Sequence, residues 1–285
     1  MAKATKKKAK KTPKAKRPPA RTVKKPAAKK SAPTKKPAAK KSSRSAGLRA
    51  PSARKQTGAF VVRAPEAPSL PVVGTQARFP VRRIFCVGRN YAEHTREMGH
   101  DPARELPFFF TKDPAGLVLS GGTFPYPPLS KDVHHEIELV AAIGRGGADI
   151  PAEKALSHIY GYAVGLDMTR RDLQGEAKKT GRPWEVGKAF AHAAPCTAIH
   201  PASAIGHPNE GRIWLNINGQ QRQRGDLKEL IWSVPEIIAH VSRLFVLAPG
   251  DLIFTGTPAG VGPVSKGDVL EGGVEGVDRL MVRVG

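Results

Sequence analysis

Two cysteines in 285 residues, Cys86 and Cys196, are too few and too isolated for a disulfide framework or a CxxC metal site, which fits a reducing compartment. No run of about 18 apolar residues exists, and the basic N-terminus is not followed by an apolar signal core. The sequence therefore predicts no membrane span and reads as a soluble, cytoplasmic chain. Acidic side chains are missing from the first 55 residues, which carry 22 of the 47 Lys and Arg; the other 25 basic residues face 24 acidic ones. The formal charge of +23 thus describes an extension, and the rest of the chain is close to neutral.

Residues 1–57 are almost wholly Lys, Arg, Ala, Pro, Ser and Thr, and the stretch Lys24 to Lys30 repeats from Lys35 to Lys41. So few apolar side chains cannot offset the entropy of ordering the backbone, and the like charges repel, so this segment is expected to be a disordered tail. From Phe60 onward Val, Ile, Leu and Phe alternate with regular Gly and Pro, enough chain to bury a core as one domain, taken as 58–285.

Many short apolar runs with Gly-rich turns and few helices predict a predominantly β (α+β) fold with peripheral helices, a pattern that does not separate sandwich from roll. Strands are expected at Arg83 to Val87, from Phe108, His135 to Ile143, Tyr160 to Leu166, Asp251 to Phe254, Asp268 to Glu271 and Leu280 to Val284. Asn218-Gly219 between two such runs signals a hairpin, and Ser233 with Glu236 has the spacing of a capping box opening a helix through Phe245. Further helices are expected at Tyr91 to Met98, closed by Gly99, at Ala152 to His158, and after Thr169, whose hydroxyl is placed to cap the helix carrying Gln174.

The most chemically loaded stretch is His134-His135-Glu136-Ile137-Glu138-Leu139-Val140, followed by Asp167 in the apolar context Gly165-Leu166-Asp167-Met168. On a strand Glu136 and Glu138 share a face, about 6–7 Å apart, beside Val140 and Ala142. Burying them costs several kcal/mol each unless a cation neutralises them, and three carboxylates without cysteine suit Mg²⁺ or Mn²⁺. The competing reading of the same residues is a solvated edge strand with two ordinary glutamates. His135 points off this face, and His134, though on it, reads as a support or a satisfied strand-end residue. His94 and Glu97, three apart, stand on one helical face, where an imidazole of ordinary pKa can take a proton from water with the carboxylate orienting it.

Four motifs in order, Arg89-Asn90-Tyr91-Ala92-Glu93-His94-Thr95-Arg96-Glu97-Met98-Gly99, the carboxylate set, Gly181-Arg182-Pro183-Trp184-Glu185-Val186-Gly187-Lys188 and Thr255-Gly256-Thr257-Pro258-Ala259-Gly260-Val261-Gly262, resemble the fumarylacetoacetate hydrolase family from about Phe60 to Gly285. Within it the chain is most similar to bacterial fumarylpyruvate hydrolases and acylpyruvases. The resemblance implies a mixed β-roll, usually dimeric, with Glu136, Glu138 and Asp167 as ligands of Mg²⁺ or Mn²⁺. It implies a catalytic set of His94, Glu97 and Lys188, and substrate contacts from Arg89, Gln174 and Thr257. The expected activity is metal-dependent hydrolysis of the C–C bond of an acylpyruvate, fumarylpyruvate to fumarate and pyruvate, as in aromatic compound degradation. Lys112-Asp113-Pro114 departs from the family's Lys-Pro, and Asp113 is expected to compete for Lys112. Arg170 and Arg171, directly after the Asp167 motif, are the expected partners of a distal substrate carboxylate.

Alternatives in the same fold are a general acylpyruvase, an oxaloacetate decarboxylase and a hydroxyhepta-dienedioate isomerase, which share the metal chemistry; His94 with Glu97 favours water activation. A reading of another class takes the basic tail, similar to the Lys-Ala-Pro arms of histone H1-like proteins, as a non-specific DNA or polyanion binder with nucleoid association.

Overall fold

The computed structural model describes residues 60–93 and 105–285. The tail 1–57, and His94 and Glu97 with the helix expected through Met98 beyond its opening at Ala92 and Glu93, lie outside the described residues. No helix among the described residues is long and apolar enough to cross a membrane.

The central sheet runs in the order Phe108–Lys112, Arg83–Gly88, Asp251–Phe254, Ile137–Ile143, Ile159–Leu166, Ala194–Cys196, Leu117–Leu119, with the short His200–Pro201 pairing onto Ile159–Leu166. Its two outer strands are consecutive in sequence, separated only by Asp113 and the 3₁₀ turn Pro114–Gly116. Such a short link joins opposite edges only if the sheet curls on itself. Arg83–Gly88 with Asp251–Phe254 and Ala194–Cys196 with Leu117–Leu119 are parallel, and the remaining pairs are antiparallel, so the roll is mixed.

Ile137–Ile143 lies in the middle of this sheet and is buried along its whole length, which excludes the solvated edge strand. Ile137, Leu139, Ala141 and Ile143 face a core shared with a second sheet and with helix Val234–Leu244; Val140 and Ala142 face the inside of the curl with Cys86, Ala163, Ala194, Cys196 and Phe254. Each fully buried Ile or Leu stabilises the fold by about 1.5–3 kcal/mol, and both faces of the strand are anchored this way, the inner cluster also holding Leu70, Phe79, Ile84 and Leu252. The second sheet has the order Gln220–Asp226, Arg212–Ile217, Val269–Val274, Asp278–Val284, Thr123–Phe124, and its hairpin turns at Asn218 (φ 51°) and Gly219 (φ 79°), the left-handed pair of a type I′ turn. Ser233 opens helix Val234–Leu244, and Glu236 Oε2 accepts its backbone N–H at 3.0 Å, as the capping-box spacing predicts.

Three local expectations fail. The strand predicted from His135 is broken at Glu136: Val133–His135 belongs to a small sheet with Thr169–Arg170 and Gly262–Pro263, and Ile137–Ile143 to the roll. Thr169 does not cap helix Arg171–Thr180; it sits in a strand with its hydroxyl donated to the Asp167 carbonyl at 3.1 Å, and Arg170 is at the cap position. Phe108, Phe109 and Phe110 are only half buried, because strand Phe108–Lys112 forms an open edge that walls a cleft.

Candidate active site

Glu136 stands at the joint between the two strands, Glu138 one step inside the roll, and Asp167 just beyond strand Ile159–Leu166, whose Leu166 pairs with Ile137. This pairing brings three carboxylates from distant sequence positions together: one oxygen of each lies within 4.8 Å of the others, and all three residues are buried. Burial first, then Asp167 and Glu136, push the Glu138 carboxyl well above the usual carboxylate range, only partly offset by the Gly256 N–H donated to its Oε2 at 2.7 Å. Gly256 has φ 103°, and a Cβ there would stand 2.6 Å from Asn90 Cβ, so only glycine brings its N–H to this point.

Cations meet two of the three acids. Lys188 Nζ donates to Glu136 Oε2 and Asp167 Oδ2, both at 2.8 Å, and Lys112 Nζ lies 2.8 Å from Asp167 Oδ1. Arg171 pairs with the second oxygen of Glu136 and donates to Gln174 Oε1 at 2.7 Å. Burial alone would lower the pKa of Lys188, but Asp167 and Glu136 hold it above the usual lysine value. Glu138 has no cation partner among the described residues. A buried carboxylate of raised pKa, flanked by two more and served by one backbone N–H, is the arrangement that a divalent ion on oxygen ligands stabilises, so the donor set fits such an ion.

Helix packing delivers Lys188. Gly187 lies against the helix carrying Gln174, where a Cβ would meet Gln174 Cβ at 2.9 Å, so the short helix Glu185–Lys188 reaches Arg171–Thr180 closely enough to point Lys188 inward. Thr257, Gln174 and Arg89 all line the same cleft, with Phe108, Phe110 and Trp184. Of the residues expected at the site, the structure brings together Glu136, Glu138, Asp167, Lys188, Arg89, Gln174 and Thr257.

Two expectations are corrected. Asp113 does not compete for Lys112: its carboxylate accepts the Ala115 N–H at 2.9 Å and caps the 3₁₀ turn, while Lys112 is buried and donates to the Met168 and Lys188 carbonyls at 2.9 and 2.7 Å. Arg170 turns away from the cleft, its guanidinium 4.4 Å over the Phe190 ring, and Arg171 faces the acids instead. His134, as expected, is a support: Asp132 Oδ1 lies 2.8 Å from its Nε2, and Arg171 Nε donates to its Nδ1 at 3.4 Å.

Gln223 escaped sequence reading altogether. Fully buried, it accepts the Ile137 N–H on Oε1 at 3.0 Å, with His135 Nδ1 also at 3.0 Å, and donates from Nε2 to Thr257 Oγ1 and the Pro258 carbonyl, both at 2.8 Å. It ties the glutamate strand to the Thr257 loop and, because Thr257 Oγ1 is already an acceptor, leaves the hydroxyl hydrogen available to the cleft. Its only sequence signal is an uncharged amide at an inward position of a polar strand.

A carboxylate triad with buried lysines at the mouth of a curled sheet defines a class: an enzyme built around a divalent-ion site and a small anionic substrate. Residues 83–285 match the fumarylacetoacetate (FAA) hydrolase C-terminal family, and the chain belongs to it. Among relatives, a fumarylpyruvate hydrolase of Ralstonia sp. is 48% identical over 185 residues, 65% of this chain and 96% of that protein. The mitochondrial oxaloacetate tautomerase of Mus musculus is 41% identical over 203 residues, 71% of this chain and 91% of that one. The crystal structure of fumarylpyruvate hydrolase from Pseudomonas aeruginosa in complex with Mn²⁺ and pyruvate superposes with a TM-score of 0.76 at 55% identity, covering 78% of this chain and 97% of that one.

Proposed function

We propose that the protein is a metal-dependent fumarylpyruvate hydrolase, cleaving an acylpyruvate into a carboxylate and pyruvate. The observation that carries this reading is the triad of Glu136, Glu138 and Asp167 facing a cation-rich cleft, in a chain 55% identical to a fumarylpyruvate hydrolase that binds Mn²⁺ and pyruvate. Glu136, Glu138 and Asp167 would hold Mg²⁺ or Mn²⁺. Bound there, the ion would supply Lewis-acid polarisation of the 2-oxo acid and offset the negative charge that develops on it.

The chain's own residues do the rest. Arg171 and Lys188 set the charge and position of Glu136. Gln174 and Thr257 offer an amide and a hydroxyl to the substrate's oxygens, and Lys188 places an ammonium where charge builds on the attacked carbonyl. His94, oriented by Glu97, takes a proton from water; the hydroxyl adds to the acyl carbonyl carbon and the bond to the adjacent methylene breaks. The electron pair passes to the pyruvate half, which takes up a proton at that carbon, so water is consumed and fumarate and pyruvate leave. The homodimer typical of the resemblance belongs to the same reading.

A second reading, oxaloacetate tautomerisation or decarboxylation, is favoured by the 41% identity to the mouse tautomerase; it uses the same cleft without an activated water. The test is a screen of purified full-length protein against acylpyruvates and oxaloacetate with Mg²⁺ or Mn²⁺, before and after chelation. Acylpyruvate hydrolysis that chelation abolishes supports the proposal; oxaloacetate turnover alone replaces it. We also infer that 58–285 is the catalytic domain and that 1–57 is a separate cytoplasmic polyanion tether, an inference supported by its 22 basic and no acidic residues.

A further inference from the structure

We propose that Arg89 and Lys178 form a second anion subsite in the cleft shared with the triad, which takes the distal carboxylate of the substrate and selects dicarboxylic over monocarboxylic acylpyruvates. This rests on the reading of the site as an acylpyruvate hydrolase. Six charged residues line the cleft: Glu136, Glu138, Arg89, Arg171, Lys178 and Lys188. Arg171 and Lys188 are engaged by the acids, whereas Arg89 and Lys178 meet no carboxylate among the described residues.

Both of these cations rest on one aromatic pair. Lys178 Nζ lies 4.9 Å from the Trp184 ring centre and the Arg89 guanidinium 5.3 Å from that of Phe108, and the two rings meet edge to face at 5.4 Å. Aromatic faces fix a cation's position while leaving its N–H groups for another acceptor. Arg89 also adopts φ 56°, a left-handed conformation that costs a non-glycine residue free energy, directly after strand Arg83–Gly88. Its side chain lies over Phe108 and lines the cleft. Lys178 sits at the exposed rim, yet desolvation of its ammonium, then the charge of Arg171, with Lys188 and Arg89 adding to it and Glu136 only partly opposing, lower its pKa to about 8. An anion placed between Arg89 and Lys178 relieves their mutual repulsion, whereas a methyl group there would gain only contact with the aromatic rings. A rigid unsaturated chain with a carboxylate at each end meets both poles.

The experiment compares kcat/KM for fumarylpyruvate and acetylpyruvate in the metal-loaded full-length protein, its Lys178→Met, Lys178→Arg and Arg89→Met variants, and measures fumarate binding by calorimetry. Between the small effect of an exposed ion pair and the large one of a buried pair, Lys178→Met is expected to lower the fumarylpyruvate-to-acetylpyruvate ratio about tenfold. Lys178→Arg should restore most of it, and fumarate affinity should fall in step with the ratio. An unchanged ratio in both methionine variants overturns the subsite while leaving the hydrolase assignment intact. If the wild type hydrolyses neither acylpyruvate, the hydrolase reading falls, and fumarate binding decides alone: dependence on Lys178 upholds the subsite, independence removes it.

Discussion

Replacing Glu138 with glutamine should move two properties of the protein in opposite directions. The side chain keeps its shape and an oxygen to accept the Gly256 N–H, and loses only its charge. In metal-free protein that charge is a liability, since Glu138 stands within 4.8 Å of two other carboxylates and has no cation partner among the described residues. At an effective dielectric constant near 20, one like-charge pair at 4.8 Å costs about 3 kcal/mol. Two such pairs act on Glu138 when it is ionised; Lys188 offsets part of the repulsion, proton uptake by the raised carboxyl relieves more, and the new amide N–H₂ has to find a partner, so a net gain of about 2 kcal/mol is expected from Glu138→Gln. For a domain of this size that raises the chelated protein's Tm by roughly 4–8 °C. The same substitution removes one of three anionic donors. Losing even an outer partner of a metal ligand costs 10–100-fold in affinity, so Mn²⁺ affinity should fall by about 100-fold or more. Thermal scans in chelator, paired with calorimetric Mn²⁺ titration, read both effects. Unchanged Mn²⁺ affinity, or a chelated variant less stable than wild type, would refute the assignment of Glu138 as a buried ligand that waits for a cation.

The other predictions concern water activation, positioning, protonation and the tail. His94→Ala is expected to slow hydrolysis by roughly 10²–10⁴-fold with Mn²⁺ binding retained; steady-state assays should show any oxaloacetate decarboxylation suffering less, and equal loss of both activities would count against a general base. Gln223→Ala leaves the Ile137 N–H and Thr257 without their partner. It should cost about 1–3 kcal/mol of stability and raise KM more than its fold loss explains, whereas a variant with full stability and KM would make Gln223 dispensable. Burial lowers the His135 pKa to about 4, with the Gln223 bond only partly opposing it, so His135 is neutral in the fold and protonates more readily when unfolded. Its contribution is complete above the unfolded value near 6.5 and is lost as pH falls toward 4, about 3 kcal/mol in all; chelated His135→Asn should therefore show a shallower acid-side loss of Tm than wild type, and equal slopes would exclude this source. A chain beginning at Ala59 should keep kcat and KM but lose DNA retention whose log K falls by about 0.9 per log salt for each phosphate contacted; failure of the full-length protein to bind DNA at low salt ends the tether proposal.

Composition and spacing alone separated the basic segment from the remainder, because 22 positive charges without one negative are visible by counting. Local rules also sufficed for the Asn218-Gly219 hairpin and the Ser233–Glu236 capping box, since both depend on residues within a few positions of each other. Period-two alternation placed Glu138 on the face of Val140 and Ala142. The four ordered motifs named Glu136, Asp167, Lys188, Thr257 and Arg89, and the family resemblance added Gln174; the fold delivers all of them to one place.

What remained illegible is long-range. No local pattern says that Ile137–Ile143 is a central strand, for its position depends on Asp251–Phe254 and Ile159–Leu166 pairing on either side of it. Lys112 read as a doubtful lysine beside Asp113, and only the curl of the sheet carries it to Asp167, 55 residues along the chain. Arg170 and Arg171 are adjacent and chemically identical, and the strand geometry of Thr169–Arg170 alone decides which faces Phe190 and which faces Glu136. Gln223 carries no charge and matches no motif, so its four bonds exist only because two sheets bring residues 135–137 and 257–258 to either side of it. The sequence determined which chemical groups the protein owns and the local turns that hold them; the tertiary structure decided which charges meet, because burial and pairing energies depend on distance through space and not along the chain.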